Sequence, residues 1–501
     1  MQLIKKVIEK DKTSIVLVPE ISLTPQMVNR FIARFGEEKI AVLHSKLSLG
    51  ERYDTWNRIM QGKVKIVIGA RSAIFAPIKN IGLIIIDEEH DSSYLSEATP
   101  KYNAKEVACY LAEKNSCPLV LGSATPDMGT YYKAQKEEIK LLKLTKRANK
   151  SNLPKIQIID LREEIANGNH SMLSLALQDE IRKNIENKEQ TILFLNRRGY
   201  STFIMCRDCG YTVKCKNCNI TMTYHLKQNK LKCHYCGYEE KPVTICPECK
   251  SPNIRYFGTG TQKLEQEVKK IFPEASTIRM DVDTVTKKNS HEEILTKFKE
   301  ENINILIGTQ MVVKGHHFPK VTLVGVIAAD SSLNIEDFRA NERTFQILTQ
   351  VAGRAGRENL EGRVVIQTYN PDSLAIEQAK EQNYEKFYEN EIGIRKQLKY
   401  PPFCDIIVVG FNGEKEQDVI FQAKKMHQYL KQRVLSEKIG LLLYSPMPAP
   451  IDRINNKYRW RMIIKCIYNE QINSLLRNAL NENEAKKGVW QTIEINPSNM
   501  M

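Results

Sequence analysis

Leu83-Ile84-Ile85-Ile86-Asp87-Glu88-Glu89-His90 decides how the amino-terminal part of this chain is read. An unbroken apolar run is what a parallel strand buried on both faces requires. Carboxylates at its carboxyl end sit where open α/β sheets bind ligands. There one acid can hold Mg²⁺ and its neighbour can orient the water that attacks a γ-phosphate. The same tetrad can also be an acidic turn that caps the next helix, so its surroundings decide. Apolar runs at residues 15–18, 65–68 and 119–121 alternate with amphipathic stretches such as 24–35 and 103–113. This βαβ order predicts an α/β fold, a doubly wound parallel sheet over residues 1–145.

A polar stretch at about 146–174 reads as a linker into a second unit of the same kind, which starts within 146–202 and resumes over 256–398. Its strand candidates are 191–195, 303–307, 321–328 and 364–367. Over 399–501, apolar runs at 405–410, 440–444, 459–467 and 490–495 bracket helical stretches at 417–435 and 470–480. Strand-helix-strand-strand-helix-strand is the ferredoxin-like order, giving a carboxyl-terminal α+β domain.

The net charge of +15 suits a polyanionic partner, though a merely Lys-rich chain would carry it too. No apolar run approaches the ~18 residues of a membrane span and no signal peptide opens the sequence, so a cytoplasmic protein is expected. Eight of the twelve cysteines fall in residues 203–255 with the spacing C-x2-C-x5-C-x2-C-x14-C-x2-C-x9-C-x2-C. In a reducing compartment that pattern means metal, and two four-thiolate structural Zn²⁺ sites account for all eight. Spacing alone permits side-by-side or nested pairing. His225 and His234 are surplus to eight thiolates.

Two further motifs accompany the acidic tetrad. Leu121-Gly122-Ser123-Ala124-Thr125-Pro126 follows the next strand and brings two hydroxyls. In Gln350-Val351-Ala352-Gly353-Arg354-Ala355-Gly356-Arg357, two arginines three apart are expected on one helical face. Forked guanidiniums stabilise a transferring phosphoryl group. Together these stretches resemble motifs II, III and VI of superfamily 2 helicases, with two RecA-like motor domains. Val18-Pro19-Glu20 and Gly69-Ala70-Arg71-Ser72 resemble DNA-tracking motifs of the first motor domain; Gly308-Thr309-Gln310 and Lys314-Gly315-His316-His317-Phe318-Pro319 resemble motif V of the second.

The cysteine insertion narrows the resemblance to the primosomal protein N′ (PriA) family of replication-restart helicases, as do Asn196-Arg197-Arg198-Gly199-Tyr200 and Tyr400-Pro401-Pro402-Phe403. The resemblance implies nested zinc sites: Cys206, Cys209, Cys246 and Cys249 for one, Cys215, Cys218, Cys233 and Cys236 for the other. It also implies ATP with Mg²⁺ at Asp87, Glu88, His90, Gly315, Gln350, Arg354 and Arg357. Asp87, Glu88, Arg354 and Arg357 would be catalytic, and Ser123, Ala124 and Thr125 would couple nucleotide state to DNA grip. Arg71, Tyr94, Tyr102, Lys314, Arg459 and Trp460 are the expected DNA contacts, the two tyrosines as base-stacking rings in an aromatic loop. The implied partners are forked and single-stranded DNA, primosome proteins, single-stranded DNA-binding protein and the replicative helicase loader, in the cytoplasm at the nucleoid. No membrane association is implied.

A motor of this type holds phosphates with a Gly-Lys-Ser/Thr loop, and the sequence contains none. Gly62-Lys63-Val64 lacks the hydroxyl, and Gly258-Thr259-Gly260-Thr261 lacks the lysine. The expectation is that the intact protein is longer, with the loop and a DNA-binding region before Met1. The strand carrying that loop is normally central, so its two neighbours are expected to lack ladder partners. A relative without ATPase activity, acting as a zinc-stabilised DNA-binding scaffold, is the competing expectation.

Overall fold

The computed structural model describes residues 1–19, 25–45, 47–144, 153–195, 203–217, 220–225, 229–234, 236–256, 260–281, 290–309, 318–356 and 361–500. Two compact units divide the chain, one built on Met1–Lys143 and the other on Leu144–Arg279 and Pro319–Met501.

In the first unit, β1 (Thr13–Leu17), β2 (Ile40–Leu43), β3 (Ile66–Gly69), β4 (Ile81–Asp87) and β5 (Leu119–Gly122) form a sheet in the order β2-β3-β1-β4-β5. All of its pairings are parallel. Because side chains alternate across a strand, β1 feeds two cores. Ile15 and Leu17 pack with Ile84, Ile86 and the alanines 104, 108 and 112 of helix Ala104–Lys114. Val16 and Val18 pack with Ile66, Ile68, Ile4 and Phe31 on the other face. Helices on both faces are what a doubly wound sheet demands. The expected pair of partnerless neighbours is not found. β3, β1 and β4 are each laddered on both sides, and the order ends at β2 and at β5, whose four residues are half-buried.

In the second unit β6 (Lys155–Asp160) and β7 (Gln190–Leu195) precede the cysteine module. The module holds β8 (Ile204–Cys206), β9 (Thr223–His225), β10 (Lys230–Lys232), β11 (Glu239–Glu240) and β12 (Ile254–Tyr256). β13 (Thr277–Met280), β14 (Ile305–Gly308), β15 (Val321–Ile327) and β16 (Arg363–Thr368) follow, and the main sheet runs β13-β14-β7-β15-β16-β6. The linker expectation needs correction. Residues 155–160 pair in parallel with β16, and helix Leu161–Ala166 follows at once.

The last stretch folds as β17 (Asp405–Gly413), β18 (Leu441–Leu443), β19 (Met447–Ile454), β20 (Lys457–Cys466) and β21 (Val489–Ile495). The antiparallel order β18-β20-β17-β21, with helices Glu416–Ser436 and Glu470–Glu482 between strands, is the ferredoxin-like arrangement; β19 is an added hairpin arm on β20. One sheet face packs on those helices through Val409, Phe411, Ala423 and Leu475. The other packs on the cysteine module through Ile406, Val408 and Ile463.

Helix Ala340–Ala352 is anchored by buried charge. Arg395 Nη2 lies 2.7 Å from Glu342 Oε2, and its Nε lies 3.2 Å from Glu391 Oε1. Removing the cation strands two buried carboxylates. Arg395→Ala is expected to cost about 3–5 kcal/mol, whereas Arg395→Met with Glu342→Gln recovers part of it; urea denaturation followed by circular dichroism checks both.

Candidate active site and metal centres

β4 delivers Asp87 to the carboxyl end of the first sheet, and the chain then turns through Glu88 at φ 47°. A non-glycine residue in that left-handed region is strained, and such strain gathers at functional sites. The Asp87 carboxylate opens to solvent, yet protein crowded around it raises its pKa, opposed by the Glu88 N–H that donates to Oδ1 at 3.1 Å. His90 Nδ1 lies 2.7 Å from Ser123 Oγ and 3.6 Å from Glu88 Oε2. Ser123 Oγ also accepts from the Thr125 N–H at 2.9 Å. The acidic turn and the Ser-Ala-Thr segment are therefore one hydrogen-bonded unit, with Thr125 buried and Ala124 exposed.

Glu89 has a role the sequence reading missed. It is 1% exposed. Its carboxylate accepts from Asp127 N at 2.7 Å, Lys105 Nζ at 2.9 Å and Thr130 Oγ1 at 3.1 Å. A carboxylate so fully engaged ties the acidic turn to helix Met128–Gln135. Within a run of acids nothing in the sequence separates this buried one from its neighbours. Only a lysine on the next helix hinted at it.

The aromatic loop differs from expectation. Tyr94 is 1% exposed and donates its hydroxyl to the Asp87 carbonyl at 2.6 Å, so its ring is core and cannot stack on a base. Arg71 is spent on the same loop, donating through Nη1 to the Ser93 carbonyl at 3.3 Å and to that of Leu95. Its guanidinium also lies 5.6 Å from the Tyr102 ring. Tyr102 is half-buried and meets Phe75 edge-on at 4.9 Å, and Phe75 is the exposed ring of that pair.

In the second unit helix Ala340–Ala352 carries Gln350 in its last turn. The helix stops before Arg354, whose N–H donates to the Val351 carbonyl, and Gly356, at φ 66°, bonds back to Val321 of β15. Arg354 therefore lies beyond the end of the helix, in the Gly-rich tail. Arg357, Lys314 and Gly315 lie outside the described residues, as do 196–200. On β20, Arg459 is half-buried and its pKa is pulled down by burial, while Nη1 donates to the Ile451 carbonyl at 3.4 Å. Trp460 packs on the carboxyl-terminal core. The half-exposed ring of this region is Trp490, under Lys457 Nζ at 4.1 Å.

The cysteine module is built from repeated knuckles. In three of them the first cysteine's N–H donates to the carbonyl five residues on, and its carbonyl accepts from the N–H four residues on, at Cys206, Cys233 and Cys246. The fourth residue onward must turn left-handed, and it does: Gly210, Gly237 and Lys250 have φ of 75°, 79° and 62°. Gly210 is also forced by contact, since a Cβ there would stand 2.0 Å from the Tyr369 carbonyl. The pairing is nested. Cys206, Cys209, Cys246 and Cys249 place their sulfurs within 4.8 Å of one another, and Cys215, Cys233 and Cys236 do likewise. Sulfur pairs stand 3.6, 3.4 and 3.5 Å apart. Thiolates about 2.3 Å from a tetrahedral zinc would be about 3.8 Å apart, so the residues fit that ion. Cys218 lies outside the described residues. His225 and His234 bond each other at 2.7 Å through their Nε2 atoms.

Two RecA-type parallel sheets, an acidic turn bonded to a Ser-Ala-Thr segment, and a cysteine ribbon inserted in the second sheet define the helicase motor class. Family models agree: DEAD/DEAH box helicase over residues 1–133, helicase conserved C-terminal domain over 241–359, PriA DNA helicase Cys-rich region over 215–241, and primosomal protein N C-terminal domain over 396–498. The chain belongs to the replication restart protein PriA family. It is 49% identical to that protein of Bacillus subtilis, covering 100% of this chain and 62% of the relative. The Synechocystis protein is 44% identical over 91% of this chain and 56% of its own length. That of Treponema pallidum is 38% identical over 99% and 74%. The chain thus spans less than two thirds of the first two relatives.

Tyr94→Phe separates the core role from a DNA role. Loss of the buried hydroxyl is expected to cost about 1 kcal/mol of stability and to leave single-stranded DNA affinity unchanged in fluorescence anisotropy. A stacking residue would lose about 1–3 kcal/mol of binding when truncated to alanine, and Phe would retain it with no cost to the fold.

Proposed function

We infer that this chain is the motor and zinc-binding portion of an ATP-dependent 3′→5′ DNA helicase that remodels stalled forks and assembles the primosome in replication restart. The observation that carries the reading is the bonded acidic turn, in which Asp87, Glu88, His90 and Ser123 form one unit at the end of β4. Asp87 would hold a divalent ion and Glu88 would orient the attacking water. Mg²⁺ bound with ATP would supply charge neutralisation on the phosphates. Gln350, Arg354 and Arg357 serve the γ-phosphate. The bond between His90 and Ser123 gives Ser123, Ala124 and Thr125 a direct line to the nucleotide turn.

The Tyr94 hydroxyl on the Asp87 backbone links the aromatic loop to the same turn. On this reading Arg71 shapes the loop rather than gripping DNA, and Tyr102, with Phe75 beside it, offers the accessible aromatic surface. Trp490, an exposed ring with the half-buried Lys457 over it, takes the place of Arg459 and Trp460 as the aromatic-basic pair of the last domain. Lys314 remains a DNA contact by resemblance. The eight cysteines hold two structural zinc ions, and the ribbon serves as a wedge for DNA and primosome proteins.

ATP hydrolysis with and without single-stranded DNA tests the reading. DNA-stimulated turnover that Asp87→Asn abolishes, and that Arg354→Ala lowers by about 10³-fold, supports it. DNA binding with no turnover, or turnover indifferent to Asp87→Asn, supports a zinc-stabilised scaffold instead.

A further inference from the structure

His234 follows the inner-site cysteine Cys233 and takes no part in the sites above. It is fully buried, and different parts of the chain hold each of its polar groups. Its N–H donates to Glu336 Oε1. Its carbonyl accepts from Arg461 Nη2 at 2.6 Å. Its Nδ1 lies 3.0 Å from the Pro448 carbonyl, which can only accept, so Nδ1 carries the proton and Nε2 accepts from His225. The other Glu336 oxygen accepts from Thr223 Oγ1 of β9 at 2.5 Å.

Glu336 belongs to the second motor sheet's segment just before helix Ala340–Ala352, and Arg461 to β20 of the carboxyl-terminal sheet. They are 1% and 4% exposed. Burying a carboxylate and a guanidinium is costly unless each is met by fixed partners. Here both are directed at the backbone of a residue beside a cysteine ligand. That backbone is a fixed target only while its neighbour is held in place.

We propose that Glu336 and Arg461 are positioning residues through which metal in the inner cysteine site fixes the carboxyl-terminal sheet against the second motor sheet. The helix that begins at Ala340, shortly after Glu336, carries Gln350 in its last turn and leads to Arg354, so the same contact bears on the near end of the arginine-bearing element. The ion at the inner site is then a clip between two domains as well as the core of a ribbon. This rests on the zinc reading of the eight cysteines.

The test uses the zinc-loaded 501-residue chain. Metal content is counted by mass spectrometry, then release to a chelator is followed in time. Two zinc ions per chain are expected, and Glu336→Ala should speed release of one of them by about 10–100-fold while leaving the other unchanged. Glu336→Gln, which keeps an acceptor for the His234 N–H, should restore most of the lag. Independently of any variant, stripping the zinc from the natural chain should raise amide exchange across residues 447–466 and 334–340. Fewer than two zinc ions would refute the zinc reading, and this inference with it. Two ions with release unaltered in Glu336→Ala, or exchange at 447–466 unaltered by stripping, would overturn the positioning role alone.

Discussion

Four sulfurs drawn into one cluster across the length of an insertion are the constraint on which the second unit depends. Cys206 and Cys209 must find Cys246 and Cys249 before the module has a core, because that core is small and contains the cysteines themselves. Zinc binding supplies what so few apolar side chains cannot, on the order of 10–16 kcal/mol for structural sites. Nested pairing has a topological consequence as well. It brings the ends of the insertion together as the antiparallel pair β8 and β12, so β7 keeps its parallel partners β14 and β15 without a break. Side-by-side pairing would bring together neither those ends nor the parent strands beyond them. The module also serves as a floor for the ferredoxin-like sheet, whose second face would otherwise be open.

The first unit obeys a different constraint. Strands buried on both faces leave little room for charged side chains, so chemistry collects where they end. Asp87 leaves β4, Glu88 turns left-handed, and Glu89 doubles back into a buried network with Lys105, Asp127 and Thr130. Three consecutive acids thus do three things: one faces solvent at the rim, one strains the backbone, and one is structural. Tyr94 and Arg71 then fold the following loop onto the acid that begins the turn.

The buried strands were legible in the sequence because an unbroken β-branched run bounded by polar turns suits little besides a strand covered on both faces. The ribbon was legible because four Cys-x-x-Cys pairs so close together suit little besides metal. Short or amphipathic strands were not. β2 has four residues and follows a charged turn, and β6 alternates Lys-Ile-Gln-Ile, which reads as polar linker until its partner β16 is known. β19 was missed because prolines interrupt it, a pattern tolerated on an added arm. At the site, residue types were legible and directions were not. Tyr94 and Trp460 look like nucleic-acid rings in one dimension, but Tyr94 points to the Asp87 carbonyl and the pleat turns Trp460 toward the helices. Glycine fixed the end of the arginine helix, a boundary that residue spacing alone obscured.

The central claim is that thiolates alone hold the metal on which the insertion is built. Zinc K-edge absorption on the purified chain measures this directly. The account predicts four sulfur neighbours per zinc at about 2.3 Å and no nitrogen. A nitrogen at about 2.0–2.1 Å would bring His225 or His234 into the coordination sphere and contradict both the thiolate sets and the hydrogen bond that now joins those rings.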